Sequence, residues 1–169
     1  SWNINNGVNS KRIPMSLKDK KFWIFDLDNT LYSESTGIFN KIDENMKLYI
    51  SKELNVSLKE AFILQKKLFR DYGTTLFGLM KFYNIDPINF LNFVHDINLS
   101  NLKKSSKLSN LIESLPGKKI VFTNGDEKWA KKILEALGIE RSIHHIFDII
   151  KSNYIPKPQK QTYINFIKK

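Results

Sequence analysis

At 169 residues, with 41% hydrophobic content and twelve Phe, the chain has material for one well-cored domain with a small insert, and this composition excludes general disorder. It has no Cys, which excludes a disulfide framework and a thiolate zinc site, and no stretch reaches the length of a membrane span. The formal net charge is +10, yet only three of the 27 basic residues are Arg; Lys scattered over solvated faces, without the bidentate forks of specific base and phosphate recognition, argues against nucleic acid as the partner.

Ser1 to Lys20 is rich in Asn, Ser and Gly and has no apolar period, so it reads as a flexible leader with Met15 as a candidate natural start. No charged-then-apolar signal pattern opens the chain. Together with the lack of Cys, this implies a cytoplasmic protein.

Lys21 to Leu27 has the aromatic and branched composition of a buried parallel strand. Asp26 and Asp28 then fall at its C-terminal end, where open α/β sheets bind ligands. Residues i and i+2 of a strand share a face. Two such carboxylates repel unless a divalent cation sits between them, with one acting as nucleophile and the other as proton carrier. Asp and Asn are also ordinary turn residues. The full Asp26-Leu27-Asp28-Asn29-Thr30 string after an apolar strand is far more specific than a lone Asp-x-Asp.

After a polar turn over Tyr32 to Gly37, the apolar spacing predicts a helix from Ile38 to about Leu54. Ser57 and Glu60 form a capping box for a second helix with Ala61, Leu64, Leu68 and Phe69 on its apolar face. Gly73-Thr74-Thr75 opens a short helix reaching Tyr83, Pro87 starts another through Val94, and Asn101 to Leu115 forms the last. His95 stands alone there, so a satisfied or exposed ring is expected rather than a metal ligand. This helical stretch of about eighty residues is too long for one crossover and reads as an inserted cap over the end of the first strand.

Pro116-Gly117 marks a turn, Lys118 to Phe122 a second strand, Glu127 to Leu137 a helix stopped by Gly138, and Ile146 to Ile150 a third strand. This rhythm predicts a parallel, doubly wound sheet. His144 and His145 are adjacent and point oppositely on a strand, which argues against a shared metal. Tyr154 to Pro158 leads into a helix with Tyr163, Phe166 and Ile167 on its apolar face, and no Asp or Glu follows Asp148.

Three short strings line up in order: Asp26-Leu27-Asp28-Asn29-Thr30, then Val121-Phe122-Thr123-Asn124-Gly125, then Lys157-Pro158 before a helix. They resemble motifs one to three of the haloacid dehalogenase superfamily, mostly Mg-dependent phosphatases, over Lys21 to Lys169. The resemblance implies an α/β fold: a Rossmannoid parallel sheet with an inserted all-helical C1-type cap. It divides the chain into a leader (1–20), a core (21–33 and 116–169) and a cap (34–115).

The resemblance also implies roles. Asp26 attacks phosphorus to form an aspartyl phosphate, Asp28 carries the proton, and Lys157 supplies positive charge. The Thr123 hydroxyl and the Asn124 backbone N–H hold phosphate oxygens. Mg2+ is bound through Asp26 and Asp28. An Asp two residues after the nucleophile points to a phosphatase or phosphomutase rather than a dehalogenase or phosphonatase.

Within the superfamily, Tyr72-Gly73-Thr74-Thr75-Leu76, Gly78-Leu79, Phe122-Thr123-Asn124-Gly125-Asp126 and Leu137-Gly138-Ile139 are similar to the pyrimidine 5′-nucleotidase subfamily. That likeness implies a nucleoside monophosphate substrate, with Gly73, Thr74 and Thr75 facing base or ribose. Trp129 stands where relatives more often carry His. The fourth motif of the superfamily, a pair of acids, has no counterpart after Asp148, so the chain is expected to stop before it. The alternatives are a phosphatase or phosphomutase acting on another small ester such as a sugar phosphate, and a noncatalytic binding module of the same fold.

Overall fold

Three short apolar runs form a parallel sheet in the computed structural model, which describes residues 15–169. They are β1 (Phe22–Phe25), β2 (Lys118–Phe122) and β3 (His145–Phe147), in the order β1-β2-β3. Phe22 aligns with Lys118 and Phe25 with Val121; Ile120 aligns with His145 and Phe122 with Phe147. Of the expected leader, residues 1–14 lie outside the described residues, while Met15–Lys18 forms a short helix, α1.

All three strands stay in register, but two of them end earlier than their apolar runs. β1 stops at Phe25 because the Leu27 carbonyl accepts the N–H groups of Thr30 and Leu31, starting a turn in which Asn29 takes φ +55°. β3 stops at Phe147, short of the expected Ile150. There the Asp148 carboxylate accepts N–H bonds from Glu127 (2.8 Å) and Lys151 (2.9 Å) and pulls the chain into a turn.

The register places Phe22, Ile24, Ile120, Phe122 and Phe147 on one face. Helix α8 (Lys160–Ile167) covers the far end of that face: the Phe166 ring stacks on Phe122 at 4.7 Å and meets Phe147 edge-on at 5.3 Å. Phe22 and Ile24 stay 59% and 54% exposed, so β1 is not the fully buried strand its composition suggests. It lies at the sheet edge, beyond the reach of α8. Ile167, expected on the apolar face of α8, is 81% exposed, because Tyr163 and Phe166 are the side chains that reach Phe122. On the other side of the sheet, Val121 joins the core formed with Ala130, Ile133, Leu134 and Leu137 of α7 (Glu127–Leu137).

Between β1 and β2 runs the helical block: α2 (Ile38–Leu54), α3 (Leu58–Tyr72), α4 (Thr75–Tyr83), α5 (Pro87–Val94) and α6 (Ser106–Ser114). The expected capping box opens α3: Ser57 Oγ accepts the Glu60 N–H at 3.2 Å, and Glu60 Oε2 accepts the Ser57 N–H at 2.9 Å. Helix α6 begins later than Asn101 because the Ser105 hydroxyl caps it, accepting the Leu108 N–H at 3.2 Å. Tyr49 of α2 meets Phe90 of α5 edge-on at 5.2 Å, tying the block together. No helix among the described residues is long and apolar enough to cross a membrane.

The tightest joint in the block is between α3 and α4. A Cβ added at Gly78 would lie 2.7 Å from Leu68 Cδ2 and 2.9 Å from Leu68 Cβ, and Leu68 is itself buried. Gly78→Ala is therefore expected to destabilise the fold by about 1–3 kcal/mol through overpacking. Urea unfolding with a lowered midpoint and an unchanged slope would record it.

Candidate active site

The loops leaving the C-terminal ends of β1 and β2 meet the segment before α8. Asp26 and Asp28 follow β1, Thr123 and Asn124 follow β2, and Lys157 precedes α8. Lys157 Nζ donates to Asp26 Oδ1 at 2.8 Å and to the Phe122 carbonyl at 2.6 Å. The second Asp26 oxygen accepts from the Thr30 hydroxyl at 3.1 Å. Both oxygens are thus oriented, yet the Asp26 side chain remains 50% exposed.

Asn124 fastens two of these loops. Its Oδ1 accepts the Lys157 backbone N–H at 2.8 Å, and its Nδ2 donates to the Lys157 carbonyl at 3.3 Å. Thr123 is buried, and its Oγ accepts the Gly125 N–H at 2.9 Å, which leaves the hydroxyl proton for another acceptor. A Cβ at Gly125 would sit 3.2 Å from Trp129 Cδ1 and 3.3 Å from Thr123 Oγ1, so a side chain there would have to push these neighbours by a few tenths of an ångström.

Two groups that the sequence did not link to Asp28 hold it. Its Oδ1 accepts from the Tyr32 hydroxyl at 2.5 Å and from the Trp129 indole N–H at 3.0 Å. Burial, with the charges of Asp28 and Asp26, pushes the Tyr32 phenol far above its usual range, so it stays a donor. Tyr32 lies four positions after Asp28 at the start of a turn and could have been found by that spacing. Trp129 is separated from Asp28 by 101 positions and leaves no local signal.

Trp129 is fully buried and stacks flat against His95, with centroids 4.6 Å apart and an interplanar angle of 6°. His95 Nδ1 lies 3.0 Å from Asp126 Oδ1. The ring is thus packed against Trp129 and close to Asp126, although neither His95 Nδ1 nor Asp126 Oδ1 finds a well-aligned hydrogen-bond partner. Burial pushes the Asp126 carboxyl upward, but the adjacent His95 ring and nearby backbone N–H groups outweigh it and hold the group below the usual carboxylate range. A lowered folded-state pKa means that the stabilisation is complete above the unfolded value and is lost as pH falls through the folded one. Asp126→Asn is therefore expected to weaken the fold near neutral pH and to flatten the loss of stability below about pH 4, as measured by melting temperature against pH.

A cavity of about 350 Å³ opens above the two carboxylates, lined by Asp26, Asp28, Thr74, Thr75, Asn124, Gly125 and apolar side chains including Ile42, Met46, Phe69 and Phe90. Thr74 caps α4, accepting the Phe77 N–H at 3.1 Å. The Thr75 hydroxyl donates to the Gln65 carbonyl at 3.2 Å. Gly73 does not line this cavity. It ends α3 at φ +86°, and a Cβ there would be 3.1 Å from Pro156 Cγ, so the close approach it permits is between the helical block and the segment before Lys157. A larger hollow of about 710 Å³ beside the His95–Trp129 stack contains neither Asp26 nor Asp28.

Among the described residues, no three His, Cys, Asp or Glu side chains gather as a metal cluster. The Asp26 carboxylate and the Asp28 backbone carbonyl are hard oxygen donors. They fit a cation such as Mg2+, which keeps several waters and binds through one or two carboxylates plus a substrate phosphate.

Residues 21–169 match the family model of the haloacid dehalogenase-like hydrolases. The chain is also 29% identical, over 171 aligned residues, to "Phosphate metabolism protein 8" of Saccharomyces cerevisiae. That alignment takes in 95% of this chain and 52% of the yeast protein, so the chain spans about half the length of this relative. With the family model matching through β1, β2, β3 and the helical block, the chain belongs to the haloacid dehalogenase-like hydrolases.

Proposed function

We propose that the protein is a Mg-dependent phosphomonoesterase working through an aspartyl-phosphate intermediate, with pyrimidine nucleoside 5′-monophosphates as substrates. The observation that carries the phosphatase reading is the meeting of Asp26 and Asp28, from the loop after β1, with Lys157 from the segment before α8, with Lys157 Nζ 2.8 Å from Asp26 Oδ1 beneath a cavity of substrate size. The yeast relative's name, a phosphate metabolism protein, is in keeping with phosphate chemistry. In this reading residues 21–33 and 116–169 are the core and residues 34–115 the cap.

In the proposed reaction an Asp26 carboxylate oxygen attacks phosphorus. The phosphorus–ester oxygen bond breaks, and Asp28 gives its proton to the departing alkoxide. Asp28 then takes a proton from water as that water attacks the acyl phosphate, releasing inorganic phosphate and restoring Asp26. The Thr123 hydroxyl and the Asn124 backbone N–H hold phosphate oxygens, and Lys157 offsets charge on the dianion and on Asp26. Tyr32 and Trp129 fix Asp28 Oδ1 and leave its other oxygen to exchange the proton. The Asp26 carboxylate and the Asp28 backbone carbonyl would hold Mg2+, which would supply further charge neutralisation.

The apolar cavity lining favours a flat leaving group such as a nucleoside over a bare sugar phosphate. Phosphate release from UMP, CMP and ribose 5-phosphate, each with and without Mg2+, tests the proposal. Metal-dependent release that is fastest with the nucleotides is expected. Equal rates for all three would instead indicate a broad phosphatase or sugar phosphatase, and no release from any of them would indicate a noncatalytic module.

A further inference from the structure

Gln65 is the most unusual polar residue in the helical block. It is 1% exposed on α3, yet it lines the cavity that contains Asp26 and Asp28. Its Nε2 donates to the Asp43 carbonyl at 3.1 Å and to Asp43 Oδ1 at 2.7 Å. Both partners are acceptors, so the amide cannot be flipped without losing both bonds. Asp43 is held in turn by Lys66 Nζ, 2.6 and 2.7 Å from its two oxygens. The remaining atom, Gln65 Oε1, is buried and has no hydrogen-bond partner.

A buried, unpaired amide oxygen is destabilising, and one whose orientation is enforced by two bonds on its other side cannot turn away to relieve the cost. It is a fixed acceptor on a residue that lines the cavity, where Asp43 and Lys66 stand beside Met46, Phe69 and Phe90. Its complement is a flat leaving group that carries an N–H donor.

We propose that Gln65 is the specificity-determining residue of the cap, accepting a hydrogen bond from the N–H edge of a pyrimidine base: N3–H of uracil or the exocyclic amine of cytosine. Asp43 and Lys66 are positioning residues that keep Oε1 available. The assignment rests on the nucleotidase reading and adds to it the atom that reads the base. A substrate without the donor leaves Oε1 unpaired in the complex, which is the situation in which polar sites discriminate most strongly.

The test compares kcat/KM for UMP and for UMP methylated at N3, in the wild type and in Gln65→Leu, with thermal melting as a folding control. The expected wild-type preference for UMP is about tenfold to hundredfold, and Gln65→Leu is expected to reduce that ratio at least about tenfold. An undiminished ratio in a folded Gln65→Leu overturns the assignment. Should that variant fail to fold, the wild type alone decides: equal kcat/KM for the two esters overturns it, and the expected preference supports it. Wild-type hydrolysis of ribose 5-phosphate without hydrolysis of UMP overturns the nucleotidase reading itself, a result distinct from failure of the Gln65 contact.

Discussion

Asp26→Asn is expected to lower kcat by at least about 10⁴-fold while leaving the fold intact, the scale of loss seen when a covalent nucleophile is removed. The substitution conserves shape but removes the charge and replaces one carboxylate oxygen by an amide nitrogen, leaving a poor nucleophile. The wild-type carboxylate is oriented at one oxygen by Lys157 (2.8 Å) and at the other by Thr30 (3.1 Å), so little of its reactivity depends on loop motion. Stability should change little, because a half-exposed ion pair contributes only about 0–1 kcal/mol. Phosphate release under single-turnover conditions, paired with a thermal melt, is the measurement. Turnover near the wild-type rate would remove Asp26 as the nucleophile.

Lys157→Met is expected to cost about 10²- to 10³-fold in kcat, the usual consequence of deleting one preorganised charge from a transition state. The ammonium is wedged between Asp26 Oδ1 and the Phe122 carbonyl at 2.8 and 2.6 Å, with its side chain only 19% exposed. It therefore needs no reorganisation when negative charge develops on the phosphoryl group. Lys157→Arg should restore activity only in part, since a planar guanidinium cannot reproduce a compact point charge between those two oxygens. Steady-state kinetics separate the cases. A loss confined to KM would assign Lys157 to ground-state binding, and an unchanged kcat in Lys157→Met would sink its role in the chemistry.

The regular elements were largely legible because their signals are local. The capping box at Ser57 and Glu60, Pro87 at the start of α5, Gly138 at the end of α7 and the apolar spacing of α2 are each read within a few residues, and each helix appears where those signals put it. Boundaries failed where a nonlocal partner intervened. Asp148 ended β3 by capping the start of α7, which lies 21 residues earlier in the sequence. Phe22, Ile24 and Ile167 look like core residues by composition but are exposed, because sheet order and the reach of α8 decide which apolar side chains are covered.

The parallel α/β class, the helical insert after β1 and the strings of residues that the strand ends carry forward were readable from the chain alone. These follow from period, capping and turn chemistry, which act over one or two turns of chain. Only the folded structure shows that Lys157 meets Asp26 across 131 positions and that Trp129 reaches Asp28 across 101. It alone showed that the Gln65 amide is locked by Asp43 with one oxygen left over. Such contacts depend on how whole elements pack, and the orientation of a buried polar side chain is fixed by partners that no local pattern encodes.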